Sequence, residues 1–114
     1  MRDLADIKLT SIQDQALQEL RFSLTSQFFV ESLILFGSVA RGDADAESDI
    51  DIMVLTSKPL RREERHRITD RVFEINLKYG TNFSTLVIDH NLWENGLVSV
   101  LPIHNEILSD GVII

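Results

Sequence analysis

The 114-residue chain contains no cysteine. That excludes a disulfide framework, thiolate metal ligation and a cysteine nucleophile, and it suits a reducing compartment. Aromatic side chains other than phenylalanine are scarce: Trp93 and Tyr79 stand alone and read most simply as core or interface residues. No apolar run reaches the roughly 20 residues of a membrane-spanning helix. The N-terminal stretch MRDLADIKL is charged and lacks the apolar centre of a secretory signal. The expectation is a soluble, cytoplasmic protein with no membrane partner. Positive charge is also short, with 11 Lys and Arg against 18 Asp and Glu, a net of −7. A free-standing binder of duplex nucleic acid is usually basic, so work on long nucleic acid is not expected. A small nucleotide arriving with its metal, or a basic protein partner, fits this balance better. His66, His90 and His104 are scattered without zinc-ligand spacing, and no serine lies in a nucleophile elbow.

Hydrophobic residues make up 44% of the chain, enough for one core, and the length favours a single domain over residues 1–114. The informative stretch runs from Leu35 to Leu55, LFGSVARGDADAESDIDIMVL. Two apolar strand-like runs flank a polar connection. Strand residues alternate between faces. Asp49 and Asp51 therefore point the same way, with Cα atoms about 6.6 Å apart, while Ile50, Ile52 and Val54 face a core. Two carboxylates on one face of an apolar strand repel each other, and each carries a desolvation cost unless a cation offsets it. A divalent metal with oxygen ligands is the natural offset. At the front of the connection, Gly37 permits a sharp bend and close approach of a ligand. Ser38-Val39-Ala40-Arg41 reads as a helical turn whose free N–H groups suit a phosphate. Ser38 can cap that turn or donate to a phosphate oxygen, and Arg41 can pair with an acid or a phosphate. An anion cradle beside a metal clamp is what a metal-bridged polyphosphate needs. A plain acidic hairpin accounts for Asp43, Asp45 and Glu47, but not for two acids on one face within an apolar strand.

Gly37-Ser38, then Ala40-Arg41-Gly42, then Ser48-Asp49-Ile50-Asp51 resembles the signature of the minimal nucleotidyltransferases in the polymerase-beta-like superfamily. The resemblance implies a small mixed β-sheet with helices packed on one face, an α/β core. It implies Asp49 and Asp51 as catalytic, magnesium-holding residues, and Gly37, Ser38, Arg41 and Ser48 as nucleotide-binding ones. It also implies transfer of a nucleoside monophosphate, AMP from ATP by default, to a hydroxyl acceptor. Minimal members are often paired with a small helical HEPN protein as antitoxin and toxin. That pairing points to a protein hydroxyl as acceptor, with a complex or homo-oligomer completing the cleft.

Along the rest of the chain, Ser11 is a candidate cap for a helix from Ile12 to about Gln27, carried by Ile12, Ala16, Leu20 and Leu24. Strands are expected at Ser32–Phe36, Asp49–Leu55 and Thr81–Ile88. A helix from Leu60 to Lys78 buries Ile68, Val72, Ile75 and Tyr79 and stops at Gly80. Arg61, Arg62, Arg65 and Arg67 in its first half read as a solvated face with local ion pairs. Asp89 caps a short helix His90–Glu94, and Leu97–Ile107 reads as a last helix interrupted by Pro102. The family usually carries a third carboxylate on the third strand. Here the matching face offers Asn82 and Ser84, both neutral. Two readings stay open on that account, an active transferase and a weakened nucleotide-binding module that acts by binding a partner protein.

Overall fold

The computed structural model of the chain describes residues 1–43 and 48–114. The first element is a two-residue strand, β1 (Arg2–Asp3), followed by a 3-10 turn at Leu4–Asp6 and helix α1 (Ser11–Gln27). Strand β2 (Val30–Phe36), the one-turn helix α2 (Ser38–Arg41) and strand β3 (Ile50–Thr56) form the centre. Helix α3 (Arg62–Tyr79), strand β4 (Phe83–Asp89) and helix α4 (His90–Glu94) follow. A 3-10 turn at Leu97–Val100 leads to helix α5 (Pro102–Asp110) and strand β5 (Val112–Ile113). The sheet order is β1-β5-β2-β3-β4. β2 pairs antiparallel with both β3 and β5, β3 pairs parallel with β4, and β1 pairs parallel with β5.

Five strands stand where the sequence suggested three. The two additions are short, and each is defined by its partner rather than by a local pattern: Arg2 and Asp3 register with Val112 and Ile113. The helix starts also differ in instructive ways. α1 is capped by Thr10, not Ser11, because Gln13 reaches back to the Thr10 N–H while the Thr10 hydroxyl accepts from Gln13 N–H. This reciprocal box satisfies two donors at once. Pro102 opens α5 rather than interrupting a longer helix, since the first helical position needs no N–H from it. Gly80 ends α3 in the left-handed region, as its place in the sequence implied.

The main core lies between one sheet face and the layer of α1 and α3. Leu33, Leu35, Ile50, Ile52, Val54 and Phe83 meet Leu17, Leu20, Leu24, Ile68, Val72 and Ile75. The mixed sheet and this helical cover are as the sequence implied, but the cover extends beyond one face. Ile34, Met53, Leu55 and Ile88 point the other way and are buried with Trp93 of α4 and Ile107 of α5. β3 is apolar at both parities over Ile52–Leu55, so its two faces both need cover. Roughly 1.5–3 kcal/mol per buried large side chain makes this second cluster a substantial contributor. Asp51 shares the parity of Met53 and Leu55. It therefore stands on the second face, beyond the end of that cluster.

Candidate active site

β3 enters the sheet at Ile50, whose N–H bonds the Asn82 carbonyl at 2.9 Å. Asp49 thus stands just before the strand, exposed, while Asp51 is held within it and half-buried. Asp51 registers with Phe36 on β2 and with Ser84 on β4. The next residue after Phe36 is Gly37, with φ 80° and ψ −157°, a backbone conformation confined in practice to glycine. A Cβ placed on Gly37 would stand 2.5 Å from Asp51 Oδ2. The glycine is required twice, for the bend and for the closeness of the carboxylate.

The electrostatics tie the second acid to this point. The carboxyl of Asp51 is pushed above the usual carboxylate range, first by burial and then by the negative charge of Asp49, while Arg41 pulls the other way. Arg41 itself pairs with Asp43 at 3.3 Å and reaches Asp110 at 3.8 Å. The Arg2 guanidinium donates to the carbonyls of Ala40 and Asp110. The N-terminal strand, the end of α5 and α2 are thereby fastened together. Ser38 is not the cap of α2, because Gly37 takes that place without a side-chain bond. Among the described residues the Ser38 hydroxyl has no hydrogen-bond partner.

Not all predicted residues converge. A cleft of about 630 Å³ opens between the N-terminal segment and α2, bordered by Arg2, Lys8, Gln13, Arg41 and Ser48. Neither Asp49 nor Asp51 lines it. Gly37, Asp51 and the charge of Asp49 form one group. Arg41 lies between that group and the cleft, and Ser48 belongs to the cleft side. Asn82 precedes β4 and lines a smaller recess with Thr10, Ser48 and Tyr79, so Ser84 alone registers with Asp51. Among the described residues there is no cluster of three or more metal-ligating side chains. Asp45 and Glu47 lie outside the described residues. Asp89 caps α4 through Leu92 N–H, as the sequence suggested, at the far end of β4. Sequence reasoning missed Asp110, whose contact with Arg41 depends on the placement of β5 and has no local signal.

The family model described as Polymerase beta, Nucleotidyltransferase matches residues 18–98. The chain belongs to this nucleotidyltransferase family. The matched span runs from within α1 to the turn after α4, so it contains the whole Gly37–Asp51 unit and leaves β1, α5 and β5 outside. Among relatives of this chain is a Methanocaldococcus jannaschii protein named "Putative protein adenylyltransferase", 37% identical over 83 residues, which are 71% of this chain and 55% of the relative. A second of the same name and organism is 36% identical over 51% of this chain and 59% of its own length. A third is 29% identical over 87% of this chain and 94% of the relative. The chain thus spans little more than half of the first two. Two solved structures share the fold. One, described as a putative nucleotidyltransferase from Sulfolobus solfataricus, has a TM-score of 0.55 at 23% identity, covering 93% of this chain and 87% of that one. The other, a toxin-antitoxin with AMP-PNP, has a TM-score of 0.57 at 18% identity, covering 87% and 69%.

Proposed function

We propose that the chain transfers AMP from ATP to a hydroxyl group of a partner protein. The observation that carries this reading is the Gly37 bend set against Asp51, whose carboxyl is raised first by burial and then by the charge of Asp49. A half-buried carboxylate with a second acid two residues away fits a divalent cation, and magnesium is the ion with the oxygen preference and ATP affinity required. Asp49 and Asp51 would hold it. Bound there, it supplies neutralisation of the triphosphate and of the departing pyrophosphate. Gly37 admits a phosphate close to the backbone. The Ser38 hydroxyl donates to a phosphate oxygen. Arg41, held by Asp43 and Asp110, adds positive charge beside Asp51. In the transfer, an acceptor hydroxyl oxygen forms a bond to the α-phosphorus and gives up its proton to water, the bond to the bridging oxygen breaks, and pyrophosphate leaves with that electron pair.

The names of the relatives support a protein as acceptor, and the toxin-antitoxin neighbour supports a partner protein; that the partner is of the HEPN class and is met in the cytoplasm is our proposal from the sequence resemblance. No helix among the described residues is long and apolar enough to cross a membrane. The test is incubation with magnesium and ATP labelled at the α- or the γ-phosphate, together with extract of the source cells. The α-label should pass to a protein and the γ-label should not, and Asp49→Asn with Asp51→Asn should abolish the transfer. A γ-label on protein, or transfer that survives the double variant, contradicts the proposal.

A second reading rests on Ser84. It is the residue in register with Asp51, and a serine there cannot serve as the general base that a carboxylate could be. Under that reading the chain binds magnesium-ATP and a partner without transfer. Ser84→Asp separates the two: it should speed transfer if the chain is a transferase, and leave transfer absent if it is a module.

A further inference from the structure

We propose that the outer edge of β4 is a docking strip for an extended, acidic segment of a partner protein. This does not rest on the catalytic reading. β4 ends the sheet order and, among the described residues, pairs only with β3. The bond from Ile50 N–H to the Asn82 carbonyl, together with the Ile50–Phe83 register, fixes the phase of the ladder. In a parallel pair alternate residues turn both backbone groups to the same neighbour. Ser84 and Leu86 face β3, so Phe83, Thr85 and Val87 face outward. At Phe83 the chain supplies its own partner. Asn76 of α3 accepts from Phe83 N–H at 2.9 Å and donates to its carbonyl at 3.1 Å, as a strand residue would. Thr85 and Val87 receive nothing equivalent. Among the described residues their outward N–H and C=O groups have no partner, although both residues are half-buried.

Open edges are normally blunted by lysine, proline or a bulge. Thr85-Leu86-Val87 has none of these and is β-branched at two of three positions, which suits strand addition. The opposite edge, β1, is only two residues long.

The flank of α3 above this edge specifies the charge of the occupant. At 3.6 residues per turn, Ile68, Val72 and Ile75 face the sheet. Arg71 and Lys78 face α1, where they bond Ser23 and Glu19. The other flank carries Arg62, Arg65, Thr69 and Asn76, and the Asn76–Phe83 bonds place it over β4. α3 runs antiparallel to β4, so Arg62 and Arg65 lie toward the Val87 end. Both are exposed, and neither side chain has an ion pair or hydrogen bond among the described residues. In a chain of net charge −7, two unpaired arginines beside an open strand edge select carboxylates on the incoming segment. A second copy fits less well. Antiparallel pairing centred on Val87, which spares Asn76, would bring the arginines of both copies toward each other.

The test uses the full chain, ¹⁵N-labelled, titrated with a short peptide alternating glutamate and valine, and separately with its lysine counterpart. The amide resonances of Thr85 and Val87 should shift saturably with the glutamate peptide, which should bind at least roughly tenfold more tightly than the lysine one. Arg62→Glu with Arg65→Glu changes exposed positions only and should reverse the preference. Val87→Pro removes one outward N–H and no ladder bond, and should abolish binding. The proposal is overturned if the two amides do not shift, if both peptides bind equally, or if the same amides shift on concentrating the chain alone.

Discussion

Gly37 and Asp51 are the pair on which single-residue changes should act most sharply. Alanine at position 37 meets both a φ of 80° and Asp51 Oδ2 at 2.5 Å. Gly37→Ala should lower stability by about 1–3 kcal/mol, read as a fall in the chemical denaturation midpoint. Asp51 should do the opposite. Its carboxyl is raised in the folded protein by burial and by Asp49, so the folded state holds that proton more tightly than the unfolded state. Stability from this group is fully present below the ordinary carboxylate pKa and falls as pH rises through the raised value. Asp51→Asn should therefore match the parent in acid and exceed it at neutral pH, the gap opening across the carboxylate range. Equal stability of parent and variant at all pH values would show that Asp51 is not strained. Magnesium should close the gap by stabilising the parent alone. Asp51 was legible in the sequence as an acid on an apolar strand because alternation and its apolar neighbours isolate it, whereas Asp49, expected within the strand, stands just before it and is exposed. Asp110 was not legible, because its approach to Arg41 is set by chain ends that meet only in the folded protein.

At the scale of elements, local chemistry was read correctly where one residue decides it and incorrectly where two compete. Asp89 caps α4 and Gly80 ends α3 because each side chain, or its absence, has one evident use there. Thr10 and Ser11 are both good caps, and Gln13 decides between them by closing a reciprocal box. Pro102 fits either a helix break or a helix start, and only packing of Ile107 into the second cluster shows which. β1 and β5 carry no local signal at all, since a two-residue strand exists only through its neighbours. The tie between α3 and β4 belongs to this scale. Asn76 bonds Phe83 twice and accepts from Thr81 Oγ1. Asn76→Ala should leave these half-buried groups unpaired and cost about 1–3 kcal/mol, with faster amide exchange at Phe83. An unchanged exchange rate there would mean that water replaces the asparagine without loss.

For the molecule as a whole, the sheet divides the labour between its faces. One face is sealed by α1 and α3 and supplies the main core. The other is covered at one end by Trp93 and Ile107 and carries Asp51 beyond that cover, flanked by Phe36 and Ser84. Packing at one end is what holds a half-buried carboxylate in place at the other. Ile107 is fully buried, and Ile107→Ala should cost about 2–5 kcal/mol. The family match stops before α5, yet the second cluster and the Arg41–Asp110 contact both depend on it. The α/β class was legible because helical and strand periodicities alternate along the chain. The two-sided cover was not, because the parity of Met53 and Leu55 marks them as buried without naming their partners.

We propose that Asp49 and Asp51, beside the Gly37 bend, grip the cation of a metal-bound nucleotide. Calorimetric titration of the chain with ATP, with and without magnesium, tests it most directly. Binding should be saturable, require magnesium and weaken by more than about tenfold in Asp49→Asn with Asp51→Asn. Binding of ATP that is indifferent to magnesium, or to the loss of both carboxylates, would contradict it.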